Sequence, residues 1–247
     1  MNERVSFRWP GYLDEFAIEA ERQGFSSEVL LETVHGPLMV WEKAGKGPLV
    51  YISSGIHGDE PAGPAALLEM LRSGIFSDHH HWLVCPALNP SGLALGRREN
   101  LHGIDLNRDY LNRVSSEVAS HEAWLARHLV PDVFVSLHED WETDGFYFYE
   151  INLMADHPGR ARDLLHAVSE HVAIEASCEI DGHEVREPGW IYHGAEADLP
   201  NEWPEAIYLA KRGCPVSFTF ETPSKECLEK RVAAHISGFR RLMAYLS

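Results

Sequence analysis

The sequence predicts an α/β fold: a mixed, mostly parallel central sheet with helices on both faces and an antiparallel hairpin at its N-terminal edge. Three observations predict it. From residue 49 onward, short apolar runs alternate with amphipathic segments, the pattern of a sheet covered by helices. Before that point, Val29 to Val34 and Leu38 to Lys43 are strand-like and separated by His35, Gly36 and Pro37, which reads as a hairpin. No repeat, low-complexity tract or linker divides the 247 residues, a length that suits one domain over 1–247.

Each element has a local reason. Residues 11–24 place Tyr12, Leu13, Phe16, Ile18 and Ala20 among acids and end at Gly24, an amphipathic helix with a glycine stop. Leu49 to Ser54 is an apolar strand running into small residues. Residues 61–73 form a helix opening at Pro61, where no N–H is needed. Trp82 to Leu88 reads as a buried strand, and Asn89-Pro90-Ser91-Gly92 after it reads as a turn. Helices are predicted over 116–129, 158–173, 203–212 and 225–246, and strands over Val133–Leu137, Phe146–Ile151 and Val216–Phe220. Between 174 and 202 the sequence is loop-rich, with Gly182, Pro188, Gly189, Gly194 and Pro200.

Bulk properties exclude some functions. With 21 Lys plus Arg against 38 Asp plus Glu, the formal charge is −17, which argues against nucleic acid or an anionic membrane surface as partner. No apolar run approaches the ~18 residues of a membrane span, and the opening MNERVSFRWPGYLDE has no signal-like apolar centre. The cysteines (Cys85, Cys178, Cys214, Cys227) show no paired spacing and read as free thiols, consistent with a cytoplasmic protein. There are 15 histidines, so a single one carries little weight, and the His79-His80-His81 run reads as a solvated loop.

Chemistry concentrates at strand ends. In ISSGIHGDEPAG, His57 and Glu60 stand three apart between a strand and a helix. They offer an imidazole and a carboxylate, two of the three protein ligands of an open zinc site of the His, Glu, His type. Gly55 and Gly58 let the backbone turn so that both point at one spot. On its own such a pair is more often an incidental feature of a strand–turn–helix joint. A third ligand is available at His138, directly after the apolar run Val133 to Leu137. Between them lies GRRENLHGIDLNRDY (96–110), where Arg97, Arg98, Asn107 and Arg108 make a local cationic site able to grip a carboxylate. The competing reading is a solvated loop whose arginines pair with Glu99, Asp105 and Asp109. Glu221 ends the strand 216–220, where desolvation raises its proton affinity toward general-base work. A capping role before the last helix is the alternative.

Taken together, HGDE (57–60), NPSG (89–92), GRREN…GIDLNR (96–108), SLH (136–138) and FET (220–222) resemble the zinc carboxypeptidase superfamily. The likeness is to its small bacterial branch, with murein peptide amidase and the succinylglutamate desuccinylase/aspartoacylase group. The resemblance implies one zinc ion held by His57, Glu60 and His138, with Asp105 orienting the first histidine. It implies Arg98 at the scissile carbonyl, preferred over Arg97 for its distance to the DLNR motif. It further implies Asn107 and Arg108 on the substrate's terminal carboxylate, and Glu221 as general base and acid. A mobile tyrosine is usual between the third ligand and the base. Among Tyr147, Tyr149, Tyr192 and Tyr208, Tyr192 is chosen because its neighbourhood is loop-like. The expected activity is a metallocarboxypeptidase acting on short peptides. The alternatives are an N-acyl amino acid deacylase and a zinc-binding protein without turnover, the last disfavoured by Glu221.

Overall fold

The computed structural model describes residues 7–9 and 11–246. The reading of the first residues as free of a leader segment falls partly outside them. Helix α1 (Gly11–Arg22) precedes the hairpin β1 (Ser26–Leu31) and β2 (Leu38–Lys43). The central elements follow as β3 (Leu49–Ser54), α2 (Ala62–Arg72), β4 (His81–Cys85), α3 (Pro90–Leu95), α4 (Ser116–Arg127) and β5 (Val133–Asp140). The chain continues through β6 (Tyr147–Asn152), α5 (Pro158–Val168), β7 (Glu179–Ile180), β8 (His183–Glu184), β9 (Trp190–His193), α6 (Glu205–Lys211), β10 (Val216–Pro223) and α7 (Leu228–Met243).

Among the described residues, eight strands form one sheet in the order β1-β2-β4-β3-β5-β10-β6-β9. The middle four, β4, β3, β5 and β10, run parallel. The N-terminal hairpin joins β4 antiparallel and closes one edge, while β6 is antiparallel to β10 and carries β9 in parallel beyond it. This is the mixed, mostly parallel sheet with an antiparallel edge hairpin that the sequence predicts.

Because side chains alternate across a strand, the sheet feeds two cores. Val50, Ile52, Val84, Val135, Leu137, Phe218 and Phe220 point to one face, packed with Phe16, Leu67, Leu164 and Phe239 from α1, α2, α5 and α7. Tyr51, Leu83, Cys85 and Phe134 point to the other, against Trp124 and Leu125 of α4 and Tyr208 and Leu209 of α6.

Several boundaries differ from the sequence reading, each for a physical reason. Strand β4 stops at Cys85 rather than Leu88, because Pro86 has no N–H to continue the ladder. Asn89-Pro90-Ser91-Gly92 is more than a turn: it opens α3, with Asn89 capping and Pro90 at the first helical position. The loop-rich stretch contains β7, β8 and β9. His80 is buried at 5% and His81 begins β4, so the histidine run is not a solvated loop throughout. All four cysteines are free.

Candidate metal centre and cavity

Past Ser54 the chain turns through Gly55 in the left-handed region (φ +62°), and the next residues double back beneath the loop before α3. Gly58 lies so close to α3 that a Cβ there would run into the Gly92 backbone. Its N–H donates to the Arg97 carbonyl at 3.0 Å. The Asn89 side chain fastens both walls. Its Oδ1 accepts from Gly92 N at 2.8 Å, and its Nδ2 donates to the carbonyls of Ile56 and Arg98, each at 3.2 Å. NPSG is thus the structural clamp that sets His57 against Arg98.

From the other side, β5 and β10 run parallel with His138 directly beside Glu221, and Tyr147 of β6 lies beside Glu221 in turn. Near neighbours in register share a face, so these side chains all enter one cavity of about 610 Å³. Its lining includes His57, Glu60, Arg98, Asn107, Arg108, His138, Tyr147, Tyr149 and Glu221.

The three predicted metal ligands converge. One donor atom from each of His57, Glu60 and His138 lies within 4.8 Å of the others, and all three residues are buried. His57 Nδ1 faces Glu60 Oε1 at 2.6 Å, and His138 Nδ1 faces Oε2 at 3.0 Å. On its far side, His57 Nε2 donates to Asp105 Oδ1 at 3.2 Å, while Arg98 Nη1 lies 3.3 Å from Nδ1 on the Glu60 side. A neutral imidazole has one N–H, so with Nε2 donating, Nδ1 can face the Glu60 carboxylate only with an added proton or a cation between them. Glu60 Oε2 is buried with no hydrogen-bonding partner despite its closeness to His138. Burial opposes charge at both residues, yet the Glu60 charge and the Asp105 hydrogen bond lift His57 to about 9, and the two histidines lower Glu60 to about 2. The donor set therefore demands positive charge at its centre. Two imidazole nitrogens and a carboxylate are also the ligands of an open zinc site, so the residues fit the cation.

Asp105 organises the cationic wall. Its Oδ2 accepts from Arg98 Nε at 2.9 Å and its Oδ1 from the Asn107 backbone N at 2.9 Å. Arg98 is thereby held beside His57, whereas Arg97 turns its Nη2 to the Asn100 carbonyl at 2.5 Å. Arg108 donates from Nη1 to the Asn107 carbonyl at 2.9 Å. Glu221 keeps some surface toward the cavity but sits deep in protein. Burial first, then the Glu60 and Asp140 charges, raise its carboxyl well above the usual range.

Tyr192 does not join this group. It is the neighbour of Glu150 in the β6–β9 register, one residue out of phase with Tyr149 and Ile151, which line the cavity. Its hydroxyl lies 3.4 Å from the Asn152 carbonyl and Arg186 stacks on its ring. The tyrosines that do face the site are Tyr147, bonded to Asp140 at 3.1 Å, and Tyr149, bonded to Asp181 at 2.8 Å.

The sequence reading missed Glu205. It is 1% exposed, lines the cavity, and accepts from the Tyr51 hydroxyl and Ser53 Oγ, each at 2.7 Å. Tyr51 in turn contacts His121 Nε2 at 2.8 Å, and Tyr110 contacts His121 Nδ1 at 2.8 Å. Burial holds His121 neutral, lowering it to about 3. The protons order themselves along the chain: Tyr110 donates to Nδ1, Nε2–H donates to Tyr51, and Tyr51 donates to Glu205. The backbone N of Glu205 donates to Asn107 Oδ1 at 3.0 Å, tying the network to the cationic wall.

Comparison with known proteins shows likenesses of sequence and of fold. Residues 46–144 match the family model for the succinylglutamate desuccinylase/aspartoacylase catalytic domain. Murein peptide amidase A of Escherichia coli K12 is 42% identical over 60 residues, 24% of this chain and 24% of that protein. Carboxypeptidase SOL1 of Arabidopsis thaliana is 32% identical over 66 residues, 22% of this chain and 13% of that one. The matches thus span about a quarter or less of these curated relatives. A provisionally assigned metallopeptidase from Shewanella amazonensis superposes with a TM-score of 0.83 at 27% identity, covering 96% of this chain and 92% of its own. A metallo-carboxypeptidase from Burkholderia cenocepacia superposes with a TM-score of 0.73 at 16% identity, covering 97% and 69%, a likeness of fold.

Proposed function

From a chain with the metallocarboxypeptidase fold, carrying a segment similar to the succinylglutamate desuccinylase/aspartoacylase catalytic domain, we propose a zinc-dependent metallocarboxypeptidase. It hydrolyses the amide bond next to a terminal carboxylate in a short peptide. The observation that carries this reading is the convergence of His57, Glu60 and His138 with Glu221 directly beside His138 on the neighbouring strand.

Bound between His57, Glu60 and His138, zinc supplies Lewis acidity that lowers the pKa of water to about 7. The chain's own groups do the rest. Glu221, its proton affinity raised by burial, takes the proton of the attacking water and delivers it to the leaving amine. Arg98, its guanidinium fixed through Nε on Asp105, donates to the carbonyl oxygen as negative charge develops there. Asn107 and Arg108 grip the substrate carboxylate, so that the scissile bond is presented as a positioned reactant. Asp105 keeps the His57 ring oriented through Nε2, a common support for a metal-bound histidine.

The family match of residues 46–144 favours a second reading, deacylation of an N-acyl amino acid by the same groups. A panel of blocked dipeptides beside N-succinyl and N-acetyl amino acids separates the two. The cavity lining also includes Asp140, Asp144, Asp181 and Asp198, which favours substrates bearing an amine, so the panel includes lysine and diamino-acid termini. Peptide turnover abolished by a tight zinc chelator is the expected result. Turnover that survives chelation would count against the proposal.

A further inference from the structure

We propose that His183, His193 and Asp198 form a second divalent-cation site, at the rim of the same cavity and separate from the His57, Glu60, His138 set. One ligand atom from each lies within 4.8 Å of the others. His193 and Asp198 line the cavity; the two histidines are partly buried and Asp198 is exposed.

The proton arrangement supports the assignment. His193 Nδ1 lies 2.6 Å from the Gly194 carbonyl, an oxygen that can only accept, so Nδ1 carries the ring proton. In the neutral ring Nε2 is then the bare nitrogen, and it faces Asp198 Oδ1 at 3.2 Å. His183 directs its own Nε2 at the other oxygen of the same carboxylate, at 3.4 Å. A lone pair facing a carboxylate is unfavourable unless a positive charge lies between them. An imidazole whose Nδ1–H is held by a backbone carbonyl, leaving Nε2 to bind, is the usual form of a metal-bound histidine.

The scaffold places both rings. Asp181 (φ 49°) and Gly182 (φ 76°) form a two-residue turn with both residues in the left-handed region, the geometry of a tight hairpin, and this delivers His183 to the start of β8. His193 ends β9. The rings meet edge-on, with centroids 4.8 Å apart. Tyr149 packs edge-on against both and is tied through its hydroxyl to Asp181, which limits their freedom to turn away. Two imidazoles and a carboxylate suit a zinc-class ion rather than calcium or magnesium, which prefer all-oxygen sites.

The test is zinc stoichiometry on the untagged full-length chain, by equilibrium dialysis and elemental analysis. Two zinc ions per chain are expected. His183→Ala/His193→Ala should lose one of them while keeping the other with unchanged affinity, and His57→Ala should lose the other instead. Asp198→Asn, a smaller change, should weaken the same second ion, and unchanged circular dichroism melts would show that each variant folds. With Co²⁺ as probe, the His183/His193 variant should lose one of two visible absorption components. A single ion in the unmodified protein would overturn the proposal, as would two ions persisting in the His183/His193 variant.

Discussion

Glu205→Gln should remove a specific pH dependence of stability. In the folded protein the Glu205 carboxyl is pushed up from its ordinary value of 4.5 to about 7 by burial, against the pull of the Tyr51 and Ser53 hydroxyls. That rise is worth on the order of 3 kcal/mol between the two protonation states. The sign follows from proton counting. Between 4.5 and about 7 the unfolded chain has released the proton and the folded chain retains it, so stability falls as pH rises through this window and levels off above it. Glutamine is neutral throughout. Whatever constant cost arises from refitting its amide to Tyr51 and Ser53 does not vary with pH. The assay is urea unfolding of both proteins from pH 4.5 to pH 8, taking the difference in free energy at each pH so that titrations common to both cancel. The native protein's advantage over the variant should shrink by roughly 3 kcal/mol across the window. A difference that stays flat would refute the claim that Glu205 is held protonated by burial.

Three other outcomes are expected. Glu221→Gln should reduce kcat by about 10²–10⁴-fold while zinc content stays unchanged, and retained turnover would remove Glu221 from the chemistry. Asp105→Asn should weaken zinc binding by about 10–100-fold, read by competition with a chromogenic chelator, because it disturbs the hydrogen bond to His57 Nε2 and the anchor of Arg98. Gly58→Ala should destabilise the fold by about 1–3 kcal/mol or more, measured by urea unfolding, since the added methyl meets the Gly92 backbone.

What the sequence revealed and what it hid have physical explanations. His57, Glu60, His138 and Glu221 were legible because each comes after an apolar run, near the carboxyl end of a strand, where α/β sheets present ligands. Arg98 was separable from Arg97 only through motif spacing, and the Asp105 contact that holds it beside His57 acts through space. Tyr192 stands in sequence that looks like a loop. Strand parity in β9 turns it out of register with the cavity, and parity is invisible where a four-residue strand goes unrecognised. The Asp181-Gly182 hairpin had a readable signal, an Asp-Gly pair, but its strands are two residues long and carry no periodicity. The alternation Val216-Ser217-Phe218-Thr219-Phe220-Glu221 was also there to be read. Its apolar half faces the helices, while Ser217, Thr219 and Glu221 face the cavity. Glu205 gave no local sign, because its partners Tyr51, Ser53 and Asn107 lie roughly a hundred residues or more away in the chain.

The most direct test of the converging donor set is anomalous diffraction from zinc-soaked crystals, recorded above and below the zinc edge. A difference peak should lie between the Nδ1 atoms of His57 and His138 and the carboxylate of Glu60, within bonding distance of all three. Zinc bound elsewhere, with no peak among these three residues at saturating metal, would contradict the assignment at its root.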